Sequence, residues 1–209
     1  MPAGRLPLNP RMIIEHLFYT GALALVVGLV LTLRGIPRER AYILIVMGAS
    51  LFPDITWPLF EAAARGWATI AFMALVPDQV ALHNLAGLVV FTLVATLLAT
   101  PFHLRSRYVA LCCTLGYGSH LLEDGLTHTT RYVLLWPLST QHVGIPLFVP
   151  YIPDLFGIAG ARVLAVGLVL LGIAVAVRTA IQGRGWWRNL VRPGNSPPVG
   201  PAGSGRERP

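Results

Sequence analysis

Long apolar runs separated by short polar segments dominate this chain, and several have the length of a membrane-crossing helix. A helix needs about 20 apolar residues to cross the hydrocarbon layer of a bilayer. Arginines and prolines mark the ends of the runs. The five runs that meet this length are residues 14–33, 41–58, 82–100, 108–127 and 157–181. The pattern predicts an all-α fold, a polytopic membrane helical bundle of about five spanning helices.

The segments between and after these runs have other patterns. Residues 67–76 are apolar but too short for a span. Residues 132–156 combine four prolines with aromatic side chains, which is typical of an interfacial or re-entrant segment. Residues 182–209 are rich in Gly, Pro and Arg and predict a disordered tail. We therefore expect one membrane-embedded domain over residues 1–181 and a tail over residues 182–209.

Composition supports membrane embedding and limits the choice of partners. The chain is 55% hydrophobic and only 12% charged, whereas soluble domains carry roughly 25% charged residues. Its net charge of +7 comes from arginine, since the sequence holds no lysine. A basic balance can indicate nucleic-acid binding. Here the arginines lie in short loops and in the tail beside apolar spans, so we expect membrane lipids as partners and no nucleic acid.

The distribution of arginines also predicts an orientation in the membrane. Five spans place eleven of the 16 arginines on one side and five on the other. Positive charge accumulates on the cytoplasmic side of membrane proteins. We therefore expect the N-terminus outside and the C-terminal tail in the cytoplasm.

One apolar run contains ionisable side chains that are candidates for chemistry. His120 and Asp124 are four residues apart, so on a helix they project from the same face. Ionisable groups inside a span are costly and usually functional. A neutral imidazole with a carboxylate is a common ligand pair for zinc or a similar divalent metal. The alternative is a structural His–Asp hydrogen bond that joins two spans.

Three motifs in the chain resemble a known family. The first is Gly-Tyr-x-x-His-Leu-x-x-Asp-x-x-Thr at residues 116–127, followed by Leu-Leu-Trp-Pro-Leu-Ser at residues 134–139. The second is Gly-Ala-Ser-Leu-Phe-Pro-Asp-Ile at residues 48–55, and the third is His16 near the start of the first span. Together they resemble the bacterial and archaeal inner-membrane metal-dependent hydrolases, one branch of which is described as LexA-regulated hydrolases. The resemblance covers residues 16–139.

The chain departs from this family at one motif. The family carries His-Arg-x-x-Thr-His-Ser before an apolar helix, whereas this chain has Asp-Gln-Val-Ala-Leu-His-Asn at residues 78–84. One alignment places Asp78 and His83 at the two family histidines, and Asp can replace His as a ligand. The other alignment places His83 first and Leu88 second and loses a ligand. We favour the first alignment because it keeps the spacing and the position relative to the helix.

The resemblance and the His120–Asp124 pair together define the candidate site. It would hold one divalent metal, with zinc preferred, or two metals bridged by carboxylates. The expected ligands are His16, Asp54, Asp78, His83, His120 and Asp124. Asp78 or Glu123 is the candidate general base. Glu123 could instead orient a ligand histidine or face the headgroups, and His128 is a further candidate on the same helix face.

All these residues fall at the outer ends of the predicted spans, so we expect a single site near the outer membrane surface. The family is similar to zinc-dependent phospholipase C and single-strand-specific nucleases. The resemblance therefore implies a membrane-bound metal-dependent hydrolase of the prokaryotic inner membrane, acting on a phosphoester, such as a lipid or another amphiphile. One alternative is a non-enzymatic scaffold with a degenerate metal site. Another is a transporter or proton relay, which needs polar groups through the whole membrane thickness.

Overall fold

Helices account for most of the part of the chain that the structure describes. The structure is a computed structural model, and it describes residues 11–63, 82–127, 133–143 and 161–191. Within these ranges the α-helices are α1 (Arg11–Leu33), α2 (Glu39–Ala63), α3 (Leu85–Leu98), α4 (Ser106–Thr127), α5 (Ala161–Gln182) and α6 (Trp186–Val191). A 3-10 turn at Thr100–Phe102 follows α3. No β-strand occurs in the described ranges, so the predicted all-α fold is confirmed.

Each of the five predicted apolar runs contains one long helix. Two helical segments, His16–Leu33 and Val163–Gln182, are long and apolar enough to cross a membrane by length and composition. Helix α3 is apolar but has only 14 residues. A membrane-crossing role for two helices therefore has support, and the count of five spans stays a prediction.

A short helix lies within the segment that the sequence predicts as a disordered tail. Helix α5 ends at Gln182, and α6 continues helical structure to Val191 inside the segment predicted as disordered. The Trp186 indole N–H donates to Thr179 Oγ1 at 2.9 Å, and the Arg178 guanidinium lies 4.8 Å from the centre of the Trp186 ring. These contacts explain why a Gly- and Arg-rich segment folds there. The predicted segment at 67–76 and residues 192–209 lie outside the described ranges.

Successive long helices alternate in direction. Helix α2 returns beside α1, so that Thr20 Oγ1 lies 2.7 Å from Ser50 Oγ while the two helices also meet at Thr32 and Glu39. Helix α4 runs parallel to α2 and packs against it, and α3 packs on α4. Helix α5 packs along α1 in the same direction. Short connections between neighbouring helices produce this alternation.

Close approach of α2 and α4 depends on a glycine. A Cβ added to Gly116 would lie 2.4 Å from the carbonyl oxygen of Val46 and 3.0 Å from the Ala49 Cβ. Small residues at such crossings let helix backbones approach closely. Tyr42, Val46, Ala49, Val109, Cys112 and Cys113 form the buried core on the arginine side of this crossing. The crossing fixes α4 relative to α2, and therefore fixes the polar residues that both helices carry beyond it.

A buried ion pair joins the opposite end of the bundle. Arg178 of α5 is only 2% exposed and binds Glu39 at the start of α2. Its Nη1 donates to the carbonyl oxygen of Leu25 at 3.1 Å, and its Nε donates to Gln182 Oε1 at 2.9 Å. Gly28 leaves room for the pair, because a Cβ there would lie 2.8 Å from both Arg178 Nη1 and Glu39 Oε1. Helices α1, α2 and α5 are thereby fastened together at this end.

Candidate metal centre

Five histidine and aspartate side chains converge where α1, α2 and α4 meet the start of α3. Helix α1 supplies His16, α2 supplies Asp54, the bend before α3 supplies His83, and α4 supplies His120 and Asp124. His16 and His120 are at most 2% exposed and Asp124 is 3% exposed. We call these five residues the His–Asp cluster.

Nitrogen and oxygen atoms face one another across the centre of the His–Asp cluster. His83 Nε2 lies 3.4 Å from Asp54 Oδ1 and 3.6 Å from Asp124 Oδ2. His120 Nε2 lies 3.6 Å from Asp54 Oδ1 and 3.4 Å from Asp124 Oδ2. On the other side, His16 Nε2 lies 3.6 Å from Asp54 Oδ2 and 3.8 Å from Asp124 Oδ1. Every histidine thus turns its Nε2 atom to both aspartates.

These spacings fit the coordination shell of a metal better than a set of hydrogen bonds. Most are longer than a hydrogen bond, and His83 Nε2 also faces His120 Nε2, at 3.4 Å. Ligand atoms held ~2.0–2.1 Å from a zinc ion lie roughly 3.3 Å apart in a tetrahedron. In addition, Asp54 Oδ2 is buried without a hydrogen-bond partner among the described residues. Imidazole nitrogens with carboxylate oxygens suit zinc and related divalent metals.

The chain before α3 holds His83 in place through its neighbours. Asn84 caps α3, and its side-chain oxygen accepts from the Gly87 backbone N–H at 2.7 Å. The Tyr117 hydroxyl of α4 donates to the carbonyl oxygen of Leu82. A Cβ at Gly87 would lie 2.7 Å from this hydroxyl, so a glycine there leaves room for the tyrosine. His83 is therefore positioned from both sides by groups that are not themselves candidate ligands.

Glu123 lies behind the His–Asp cluster rather than within it. Its Oε2 is 3.1 Å from His16 Nδ1, and the residue is 3% exposed. A carboxylate that accepts from Nδ1–H leaves Nε2 of the same ring available to a metal, and such partners are a regular feature of histidine metal sites. Of the three roles that the sequence left open for Glu123, this position suits the orientation of a ligand histidine.

The structure brings together most, but not all, of the predicted site residues. Five of the six predicted ligands form the His–Asp cluster. Asp78, the remaining ligand and a candidate general base, lies outside the described residues, as does His128. Sequence reasoning missed the supporting roles of Asn84 and Tyr117, although Tyr117 belongs to the Gly-Tyr-x-x-His motif and Asn84 directly follows His83. Whether the cluster binds a metal stays a prediction.

The helices and the cluster define the class first: a helical membrane protein with a buried histidine–aspartate site. The chain belongs to the YdjM inner membrane protein family, whose model matches residues 13–185. The match includes every member of the His–Asp cluster, and the family description places the protein in the inner membrane. No curated protein and no solved structure matches the chain.

Proposed function

We propose that this protein is a membrane-bound metal-dependent hydrolase that cleaves a phosphoester. The observation that supports the proposal most is the convergence of three Nε2 atoms and two aspartates in two overlapping triads of ligand atoms, His16–Asp54–His120 and His83–His120–Asp124. Within each triad the ligand atoms lie within 4.8 Å of one another. A purely structural hydrogen-bond network has no need for three histidines that all turn the same nitrogen inward.

The residues of the candidate site would have separate roles in holding the metal and in catalysis. A bound divalent metal would polarise the scissile phosphoryl oxygen and lower the pKa of water towards about 7. His120, Asp124 and His16 would hold it from the buried side, and Glu123 would fix the ring of His16. The side chains of Asp54 and His83 are 15% and 19% exposed, so a substrate would approach over them. Asp78 remains our proposed general base, since Glu123 lies behind His16.

A transporter or proton relay receives less support. Between the His–Asp cluster and the arginines, the described parts of α1, α2 and α4 contain no Asp, Glu, Lys, Arg or His. An ion path would need such groups through the thickness of the membrane. A scaffold with a degenerate site remains the main alternative, because Asp78 stands where the resembled family has a histidine.

Metal content tests the proposal directly. Protein purified in detergent would be analysed for bound elements as wild type, His120→Ala and Asp124→Ala, with His142→Ala as a control because His142 is an exposed histidine. We expect near-stoichiometric zinc or manganese in the wild type and the control, and loss of that metal in both cluster variants, with helical content unchanged. Absence of metal from wild-type protein, even after incubation with zinc, would refute the proposal and leave the scaffold.

Activity separates a hydrolase from a metal-binding scaffold. Metal-loaded wild-type protein would be assayed against phosphoester lipids in mixed micelles, beside the His120→Ala variant. Release of a phosphorylated or dephosphorylated product by the wild type alone supports the hydrolase. A stoichiometric metal without turnover of any phosphoester favours the scaffold.

A further inference from the structure

The His–Asp cluster lies at a defined depth relative to the arginine-bearing end of the bundle. His16 precedes Arg34 by 18 positions along α1, and Asp54 follows Arg40 by 14 positions along α2. At 1.5 Å per residue these intervals correspond to about 27 Å and about 21 Å. On α4 His120 follows Arg107 by 13 positions, which corresponds to about 20 Å.

The arginines from which these intervals are measured share one level. Arg38, in the turn before α2, donates to the carbonyl oxygen of Phe102 after α3. The backbone N–H of Arg105, before α4, donates to the Tyr42 hydroxyl of α2 at 3.1 Å. One end of the bundle therefore carries the arginines of these turns and of the first turns of α2 and α4, namely Arg34, Arg38, Arg40, Arg105 and Arg107.

This depth places the cluster inside the apolar layer. The hydrocarbon core of a bilayer is about 30 Å thick, and arginines sit at the headgroup level. With the arginine level at one interface, a site about 20–27 Å away lies several ångströms short of the opposite headgroups. The apolar window that begins at His16 and ends at Leu33 has the same limits. A water-soluble substrate would have to leave water to reach such a site.

The exposed edge of the cluster faces apolar surface. Asp54 and His83 are its most exposed members, and Leu85, two residues after His83, is 42% exposed. The Leu85 backbone N–H donates to the carbonyl oxygen of Leu134 at 2.9 Å, which attaches residues 133–143 to the start of α3. In that segment Leu138 is 93% exposed. Apolar side chains this exposed beside a polar site are expected where lipid, not water, is the neighbour.

We propose that this edge is a lateral portal, through which a phospholipid of the leaflet opposite the arginines brings its phosphoester to the His–Asp cluster. The inference rests on the proposed function and adds the substrate class and its direction of approach. The phosphate of this phospholipid would present its anionic oxygens to the His–Asp cluster. The acyl chain would lie against the exposed residues Val89, Val90 and Leu93 of α3. A phospholipid carries a phosphate and acyl chains in one molecule. It can therefore meet the polar cluster and the apolar surface of α3 at the depth where the two adjoin.

The depth of the proposed portal in the bilayer can be measured without an activity assay. A nitroxide label at Leu138→Cys would be compared with labels at Leu93→Cys and Arg184→Cys, in vesicles of phosphatidylcholine and phosphatidylglycerol and in a background with Cys112 and Cys113 replaced by alanine. For the labels at positions 138 and 93, we expect dissolved oxygen to raise the spin relaxation rate more than a water-soluble nickel complex does. For the label at position 184 we expect the reverse. A Leu138 label as accessible to nickel as the Arg184 label would overturn the portal, whatever the metal content.

Substrate preference provides the second measurement. Val89→Trp, which adds bulk at the proposed portal, would be compared with Leu97→Trp, at an exposed position near the other end of α3. We expect Val89→Trp to lower the ratio of the hydrolysis rate on a dioleoyl phospholipid to the rate on its dihexanoyl analogue at least tenfold, and Leu97→Trp to leave that ratio unchanged, with equal metal content in both variants. Equal loss on both substrates, or none on either, would contradict the portal. Metal-free wild-type protein would instead refute the proposed function.

Discussion

The carboxylate of Glu123 and the imidazole of His16 form a buried hydrogen-bonded pair, with Glu123 Oε2 at 3.1 Å from His16 Nδ1. The opposite nitrogen of the same ring, Nε2, faces Asp54 and Asp124. A neutral ring that donates its Nδ1–H to Glu123 has its lone pair on Nε2, directed into the cluster. The pair joins α1 to α4 and orients the ring at the same time.

Glu123→Gln tests this division of roles. We expect metal affinity to fall about 10- to 100-fold, because loss of the carboxylate weakens the basicity and orientation of the ligand histidine. Competition against a chromogenic chelator would measure it, with Glu39→Gln, at the far end of the bundle, as the matched control. If Glu123→Gln kept full metal affinity and lost all turnover, Glu123 would be the general base instead.

Metal binding should stabilise the fold, since the cluster joins three helices and the start of a fourth. A ligand that binds only the folded state at 100 times its dissociation constant stabilises that state by about 2.7 kcal/mol. We expect zinc to raise the melting temperature in detergent and a chelator to lower it. His120→Ala should abolish the response, and His103→Ala, at an exposed turn position, should retain it. A melting temperature that ignores zinc in wild-type protein would argue against a metal in the cluster.

Gly116→Ala should destabilise the crossing of α2 and α4. The added Cβ would lie 2.4 Å from the Val46 carbonyl oxygen, and overpacking of this kind costs about 1–3 kcal/mol. Gly48→Ala is the control, because nothing lies within 4 Å of a Cβ at that position of α2. Unfolding in detergent would be followed by circular dichroism. Equal stability of the two variants would mean that α2 and α4 approach less closely than described.

Arg178→Gln should lower the free energy of unfolding more than the substitution of an exposed arginine does. Removal of one partner from a buried ion pair leaves the other charge uncompensated and costs about 3–5 kcal/mol. The lower end of this range applies here, since the Glu39 side chain is 20% exposed. Arg184→Gln, at an exposed position after α5, is the control. The same unfolding assay would measure both variants. If Arg178→Gln lost no more unfolding free energy than Arg184→Gln, Glu39 would be hydrated once its partner is removed.

The apolar pattern was sufficient for the helices but not for their arrangement. Runs of about 20 apolar residues predict where helices lie, and the structure has a helix in each. Which helix adjoins which cannot be read from that pattern, because a lipid-facing side and a buried side are equally apolar. The parallel packing of α5 on α1, and with it the Arg178–Glu39 pair, therefore had no signal in the sequence.

The candidate site was predictable to a different degree at each residue. His120 and Asp124 share a helix face through their spacing alone, whereas Asp54 and His83 needed the resemblance. His16 had the weakest signal of all, a single histidine at the start of a span, yet it is 2% exposed and faces both aspartates. Its importance comes from contacts across more than 100 positions of sequence, and no local pattern records such contacts.

The order of residues along the chain sets the order in which this site is made. His16 and Asp54 are synthesised with the first two helices, while His120 and Asp124 follow only with α4. At about 5–20 residues per second, the 108 positions from His16 to Asp124 take roughly 5–22 seconds to synthesise. During that interval His16 of α1 lacks its contacts with Glu123 and Asp124. Occupation of the proposed metal site would therefore be a late event of biogenesis, which follows synthesis of α4 and cannot guide the insertion of α1.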